Sequence, residues 1–162
     1  MVNTRAWTML VLSVCLMGCQ AQRNKDCFRR CVDAINDREL ARLDDLIAAD
    51  YVRHCQATPG VEVNSIEDFK HFLKADFEAI PDSVVGIDWL VAEGDMVAFY
   101  CSYSGTQTKQ MGSFPPSGKR AVLDFAGVHR FENGKIAETW LTWDNLSMLT
   151  QLGHLPSTRV SE

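Results

Sequence analysis

The spacing of apolar residues changes at Pro81, and this change constrains the fold more than any other feature of the sequence. Before Pro81, apolar residues such as Phe69, Phe72 and Phe77 recur at the spacing of one α-helical face. After Pro81 they form runs typical of β-strands, separated by short polar turns. Helices followed by strands predict an α+β domain, with the N-terminal helices packed on a curved antiparallel sheet. The 162 residues are enough for one such domain and too few for two.

The helical half divides into three predicted helices. Two of them cover about residues 26–36 and 38–49, because Asn36-Asp37 interrupts the apolar pattern. A third begins after Ser65, which is expected to cap it with Asp68 three positions further on, and ends at Pro81. A short strand or extended turn is expected between them, over residues 50–55.

The second half predicts four antiparallel strands. Two are joined by a turn at residues 93–95, and two form a hairpin around Asn133-Gly134, a strong hairpin signal. A closing helix is predicted from Asn145 to Leu152, with Gly153 as its stop. A twisted sheet that curls around a long helix leaves a concave interior, and a ligand pocket is expected there.

The N-terminus predicts export. Arg5 precedes a short apolar segment, residues 6–17, whose helical length of about 18 Å is less than a ~30 Å bilayer core. The following Gly18-Cys19 completes a stretch that resembles a bacterial lipobox, in which the cysteine takes a lipid. A buried helix and a cleaved soluble signal are the alternatives. The residue after Cys19 is Gln20. An Asp at this position favours retention in the inner membrane, so Gln20 predicts an outer-membrane anchor facing the periplasm.

The predicted organisation is a signal peptide at 1–18, a polar tether at 19–25, a folded domain at 26–155 and a tail at 156–162. A net charge of −5, without long basic runs, argues against a nucleic-acid partner.

The cysteines left after removal of the signal peptide are Cys27, Cys31, Cys55 and Cys101, besides the lipid-bearing Cys19. An exported compartment permits disulfides, and four cysteines allow three pairings, between which the sequence does not choose. Cys27 and Cys31 are neighbours on a predicted helix, where the backbone spacing strains a bridge. The sequence lacks the ligand spacing of a structural zinc site.

The predicted hairpin carries the principal candidates for chemistry. Counting outward from a two-residue turn places His129 opposite Glu138, on one face with Phe125 and Trp140. The pair either handles protons, with the carboxylate raising the pKa of the imidazole, or forms a structural cross-strand ion pair worth about 0.2–1 kcal/mol. The structural interpretation is preferred, because perturbed pairs are structural as readily as catalytic. A bulge would change the pairing.

Other polar residues are weaker candidates. Asp144 stands between the last strand and the last helix and is predicted to cap that helix, with a place beside a ligand as the alternative. His54 lies beside Cys55 and is interpreted first as a satisfied buried histidine, although its near-neutral pKa also suits catalysis. Tyr100 and Tyr103 fall on opposite strand faces, so one of them is placed to offer its phenol to a ligand.

Seven short motifs together resemble the SnoaL-like polyketide cyclases of the NTF2-like superfamily. In chain order they are YVRH (51–54), AIPD (79–82), VAEGDMVAFY (91–100), GTQT (105–108), PPSGK (115–119), FENGKIAE (131–138) and WDNLSMLTQLG (143–153). The resemblance covers roughly residues 30–153 and implies a cone-shaped α+β domain. It also implies ring closure by aldol condensation in an apolar cone, without metal or organic cofactor, and a homodimer formed by paired sheets.

The chain departs from the family pattern at one strand. Similar cyclases often have Glu-His-Trp-Asp where this chain has Glu138 followed by Thr139, Trp140 and Leu141, so the His and Asp are replaced. The first hypothesis is an enzyme that moves protons on a small, mostly apolar carbonyl compound. The second is a non-catalytic lipoprotein that binds an apolar ligand or forms a dimer, which the replacements favour. The residues assigned to proton transfer are Glu138, His129, His54 and Asp144, and those assigned to ligand contact are Tyr100, Tyr103, Phe125 and Trp140.

Overall fold

The computed structural model describes the backbone of residues 4–156 and the side chains of residues 19–156. The side chains of the predicted signal peptide, residues 1–18, and most of the predicted tail lie outside this range, so cleavage and acylation at Cys19 stay predictions. Cys19 itself is exposed. Within the described part of the chain, the helices contain no stretch that is both long and apolar enough to cross a membrane.

Three α-helices and one 3-10 helix are present in the described residues. They are α1 (Thr4–Asn36), the 3-10 helix (Leu40–Asp45), α2 (Ile66–Ala79) and α3 (Asn145–Gln151). Residues 20–25 belong to α1, and Asn24 within them is buried. The prediction of a polar tether at 19–25 was therefore wrong, because these residues continue the helix and one of them packs inside the domain.

Five strands form one sheet in the order β1-β5-β4-β3-β2. They are β1 (Ile47–Cys55), β2 (Val84–Glu93), β3 (Met96–Thr106), β4 (Arg120–Glu132) and β5 (Lys135–Trp143). All neighbours are antiparallel except β1 and β5, which are parallel. The α+β fold with N-terminal helices on the sheet is confirmed, and β1 adds a fifth strand to the four predicted after Pro81.

The second predicted helix, 38–49, is wrong in length and type. Arg38 adopts a left-handed φ of 63° after α1, the 3-10 helix follows, and β1 begins at Ile47. The N–H of Ile136 donates to the carbonyl of Leu46 at 2.9 Å, which joins this segment to β5. Long-range pairing at the sheet edge has thus replaced the local helical preference.

Predictions that rest on local chemistry agree with the structure. The backbone N–H of Asp68 donates to the Ser65 hydroxyl at 3.1 Å, as expected of a helix cap. Asn133 and Gly134 adopt φ values of 51° and 79°, the left-handed pair that a two-residue hairpin turn requires. Gly153 follows α3 with a φ of 81°.

The core lies where α1 covers the concave face of the sheet. The Phe28 ring of α1 is 5.1 Å from the Phe99 ring of β3, and 4.4 Å from the His129 ring of β4. Gly127 of β4 leaves room for Phe99, because a side chain at residue 127 would collide with that ring. The centre of the expected hollow is therefore filled by aromatic rings, and α2 contacts the part of the inner face that carries Tyr103 and Arg53.

Candidate active site

A bulge in β5 changes the hairpin pairing on which the predicted catalytic pair depended. Phe131 faces Ile136 as expected, but Arg130 then faces Glu138 and His129 faces Thr139, so Ala137 is the extra residue. The predicted pairing of His129 with Glu138 is therefore wrong. Because side chains alternate along a strand, Thr139 shares the concave inner face with His129, and Glu138 points to the opposite, outer face.

His129 is part of the core. It is 6% exposed, its Nδ1 lies 2.8 Å from the Thr139 hydroxyl, and its ring packs 4.5 Å from the Phe99 ring. Its Nε2 has no hydrogen-bond partner among the described residues. Burial lowers the pKa of His129 to about 3, so the imidazole is neutral at pH 7. This geometry favours a structural role over the predicted transfer of protons.

Glu138, His54 and Trp140 do come together, but on the outer face. The His54 Nε2 donates to Glu138 Oε1 at 2.8 Å, and Arg130 Nε donates to Glu138 Oε2 at 3.1 Å. The His54 ring also stacks on Trp140, with centroids 5.2 Å apart. The hydrogen bonds from His54 and Arg130 lower the pKa of Glu138. Glu138 is thus held as a carboxylate near solvent, which is the character of a surface ion pair.

Two more predicted residues have structural contacts outside the concave face. Asp144 Oδ1 accepts from the N–H of Ser147 at 2.9 Å, which confirms Asp144 as the cap of α3. The Tyr100 hydroxyl donates to Asp124 at 2.8 Å on the outer face.

The cysteines form no disulfide within the described part of the chain. Cys27, Cys31 and Cys101 are buried free thiols, and Cys55 is a half-buried one.

Tyr103 faces inward and meets a carboxylate of α2. Its hydroxyl donates to Asp76, at 3.0 Å from Oδ1 and 3.1 Å from Oδ2. Burial raises the pKa of Asp76, although hydrogen bonds from Tyr103 and Ser83 and the charge of Arg38 act in the opposite direction. Burial also raises the pKa of Tyr103. This is a carboxyl group and a phenol in contact, both shifted toward their protonated forms.

Arg53 and Trp143 lie on the same inner face. The Arg53 guanidinium carbon stands 4.5 Å over the Phe72 ring of α2 and 5.9 Å from the Trp143 ring of β5. Its Nη1 donates to the Thr58 hydroxyl at 3.2 Å. Phe72 precedes Asp76 by one helical turn on the same side of α2, so this helix joins the two groups of polar residues.

We call this cluster of inner-face side chains the inner cleft. Trp143 faces Phe125 across the sheet, Phe125 faces Cys101, and Tyr103 lies two residues beyond Cys101. With strands about 4.8 Å apart, Trp143 and Tyr103 stand on the order of 10 Å from each other. The residues that define the inner cleft are Arg53, Phe72, Asp76, Tyr103, Phe125 and Trp143.

Tyr103 and Phe125 of the inner cleft were predicted as site residues from the sequence, whereas Asp76 and Arg53 were not. A signal for both was present. Asp76 lies four residues after Phe72, so it belongs to the apolar stripe of α2. Arg53 lies two residues after Tyr51 in a strand-like run, so the two side chains share one face. A charged residue at an inward position is unusual enough to indicate a site.

A separate groove of about 760 Å³ lies at the opposite end of the sheet, between α1 and the turns after β2 and β4. Its lining includes Asn24, Cys27, Arg30, Asp95 and Phe131. None of the predicted site residues lines it, and it lacks the carboxyl–phenol pair. The chemistry of the inner cleft therefore makes it the stronger candidate.

Comparisons with known proteins agree with the fold. IdmH from Streptomyces antibioticus is 28% identical, with a TM-score of 0.70, over 80% of this chain and 98% of IdmH. TsrD from Streptomyces laurentii is 26% identical, with a TM-score of 0.72, over 85% of this chain and 97% of TsrD. A SnoaL-like polyketide cyclase from Agrobacterium tumefaciens strain C58 is 21% identical, with a TM-score of 0.68, over 80% of this chain and 98% of its own, and shows the fold alone.

None of the curated proteins compared with the chain matches it. The sequence model of one family, described as SnoaL-like polyketide cyclase, matches residues 25–152, which is most of the chain. The protein therefore belongs to the SnoaL-like polyketide cyclase family.

Proposed function

We propose that this protein binds a small, mostly apolar carbonyl compound in the inner cleft and moves a proton on it. The contact between Asp76 and Tyr103 is the observation that carries the proposal. A general base works best when its pKa lies near the working pH, and burial raises the pKa of Asp76 in that direction. Half-buried Phe72 and Phe125 supply apolar walls for the ligand.

The two side chains have separate roles in the proposed reaction. Asp76 takes a proton from the carbon next to the substrate carbonyl, and the electron pair of that C–H bond moves onto the carbonyl oxygen as an enolate. Tyr103 turns its O–H from Asp76 to the enolate oxygen and stabilises it by a hydrogen bond. Return of the proton to another carbon isomerises the compound. Attack of the enolate carbon on a second carbonyl instead closes a ring, and the resulting alkoxide takes the proton held by Asp76.

Asp76 offers a carboxyl group in place of the one that similar cyclases often carry on β5 and that this chain lacks. Leu141, which stands where similar cyclases often have Asp, faces Gly127 on the inner side of the sheet. The sheet therefore offers no carboxylate at that position, and α2 offers Asp76 from above the same face. The family's chemistry is kept in this proposal, with its acid–base group on a different element.

The test measures deuterium exchange at the α-carbon of benzoylacetone, above the uncatalysed rate. We expect Asp76→Asn to lower the enzymatic rate by about 100-fold or more, the usual contribution of a general acid–base group. The matched control is Glu138→Gln, which makes the same change on the outer face and should leave the rate within about twofold. Equal rates for wild type and Asp76→Asn, or equal losses in both variants, would contradict the proposal.

The outer face favours a second role, the homodimer expected from the family resemblance. Four large apolar side chains there are solvent-exposed: Trp89 (51%), Val91 (60%), Val122 (57%) and Trp140 (39%). A patch of this kind typically marks an interface, and a two-fold dimer uses the same patch on both copies. A sedimentation mass of two chains, reduced to one by Val91→Asp, is the expected result. A single-chain mass for wild type would exclude it.

The lipid anchor on Cys19 belongs to the same proposal, because the Cys19 thiol is exposed, as the attachment of a lipid requires. Cys19→Ala should release the protein from membranes. An unchanged membrane fraction would count against lipidation.

A further inference from the structure

Arg53 is a buried cation without a counter-ion in the described part of the chain. It is 7% exposed, yet it forms no ion pair with any Asp or Glu of residues 19–156. By contrast, the more exposed Arg130 has two carboxylate partners. The guanidinium carries five N–H donors, and the hydroxyl of Thr58 accepts from one nitrogen only.

A charge in this position is costly unless something compensates it. Burial of an unpaired ion is unfavourable, and the rings of Phe72 and Trp143 offset only part of that cost through their π faces. Only Nη1 of the guanidinium donates to a protein acceptor, so Nε and Nη2 have no hydrogen-bond partner among the described residues. A rigid, planar fork of donors with a free edge is suited to a carboxylate, which it binds through two parallel hydrogen bonds.

Trp143 supplies a second, independent observation. Its indole Nε1 is buried and has no hydrogen-bond partner among the described residues, although buried indole N–H groups normally find an acceptor. Arg53 and Trp143 therefore carry unused donors on one face of the sheet, and the guanidinium carbon of Arg53 is 5.9 Å from the Trp143 ring. An indole N–H is only a donor, so both groups require an oxygen acceptor from outside the protein.

We infer that the inner cleft takes an oxo acid, whose carboxylate binds Arg53 and Trp143 while its carbonyl end reaches Asp76 and Tyr103. One guanidinium and one neutral indole match a single negative charge, which favours a carboxylate over a phosphate. Phe72 and Asp76 are four residues apart on α2, about 6 Å along its axis, so a short apolar spacer separates the two ends of the ligand. The inference rests on the proposed function for the carbonyl end, and on Arg53 and Trp143 for the acid end.

The experiment compares two probes that differ by one charge: benzoylacetone and its para-carboxylate. Their affinities for wild type are measured by calorimetry in the same buffer, and we expect the carboxylate to bind about tenfold or more tightly. Arg53→Gln should abolish this preference. Trp143→Phe keeps an aromatic ring but removes the N–H together with the second ring of the indole. Because both probes meet the smaller ring, the change in their relative affinity reports the N–H, and the preference should fall by about threefold. Asp76→Asn is the matched control, because it should lose proton exchange and keep the preference for the carboxylate.

Equal affinity of wild type for the two probes, or tighter binding of the neutral one, overturns the inference. So does a preference that persists in Arg53→Gln. If Arg53→Gln does not fold, Trp143→Phe decides, and an unchanged preference in that variant overturns the inference as well. A carboxylate preference without proton exchange in wild type leaves the oxo-acid site standing as a binding site and refutes the proposed catalysis.

Discussion

The inner and outer faces of the sheet place histidine and carboxylate groups in opposite surroundings. On the inner face, Thr139 contacts His129, whose pKa burial lowers to about 3. One residue earlier, Glu138 faces outward, and hydrogen bonds from His54 and Arg130 lower its pKa. Each face holds a histidine, yet the inner one is fixed as a neutral core residue and the outer one contacts a carboxylate near solvent. The surroundings, rather than the residue type, decide what each group does.

The carboxylates of the two faces show the same contrast. Glu138 on the outer face has a lowered pKa because partners stabilise its charge. Asp76 on the inner face has a raised pKa because burial disfavours its charge. Stabilising the carboxylate makes a weaker base, and destabilising it makes a stronger one. Asp76 is therefore the stronger base of the two carboxylates and the better candidate for proton transfer.

The largest expected effect concerns His129 and pH. In the unfolded chain a histidine protonates near 6.5, whereas folded His129 stays neutral down to about 3. Between these values the unfolded state binds one proton more, so the free energy of unfolding falls as the pH falls, by about 1.4 kcal/mol per pH unit. Above 6.5 this contribution to stability is fully present. At pH 5 the loss due to His129 should be about 2 kcal/mol.

Urea unfolding at pH 7, 6 and 5 measures this loss in three proteins. Wild type and His54→Leu should both lose stability toward pH 5, and His129→Leu should lose about 2 kcal/mol less over the same range. The same substitution on the outer face is the control for the loss of a histidine as such. Identical pH profiles for the two variants would mean that the contrast between the faces is not electrostatic.

A second effect, of comparable size, is expected when the inner polar contact is removed. Thr139→Val keeps the shape of the side chain and leaves the buried Nδ1 of His129 without its 2.8 Å partner. An unsatisfied buried polar group costs about 1–3 kcal/mol of unfolding free energy. Thr142→Val, an exposed change on the same strand, should stay within about 0.5 kcal/mol of wild type. A loss at Thr142 as large as that at Thr139 would remove the distinction between the faces.

The parts of the fold that the sequence predicted are those whose chemistry is local. The Ser65 and Asp144 caps and the Asn133-Gly134 turn each depend on residues within four positions of each other. The change of period at Pro81 likewise needs no distant partner. Such features can be recognised from composition and spacing, because the same few residues make and satisfy the contact.

The wrong predictions concern contacts between residues that are far apart in the sequence. The bulge at Ala137 arises where Leu46, far away in the chain, accepts a hydrogen bond from Ile136, and it changed the face assigned to Glu138. The contact between Asp76 and Tyr103 spans 27 positions. Both contacts join residues that are far apart in the sequence. Pairing predicted from the hairpin turn alone could therefore not reveal them.

The smallest expected effect is that of Glu138→Gln on stability. Half-exposed ion pairs contribute about 0.2–1 kcal/mol, because solvent screens them, and the amide keeps a hydrogen-bonding oxygen for Arg130. The contribution of Glu138 is present above its ordinary pKa of 4.5 and is lost as the pH falls through its lowered folded value. Urea unfolding at pH 7 should therefore show a loss of less than about 1 kcal/mol. Added salt should reduce this loss further, since the pair lies near solvent.

The pH ranges separate this effect from that of His129. Between pH 6.5 and 5 His129 titrates in the unfolded chain, whereas Glu138 remains ionised in both states, because its folded pKa lies below its ordinary value of 4.5. A loss above about 2 kcal/mol that salt does not reduce would show that Glu138 is shielded from solvent. A second copy of the chain that covers the outer face would shield it in this way. The same measurement, repeated across protein concentration, would then report on the dimer, because only an intermolecular shield weakens on dilution.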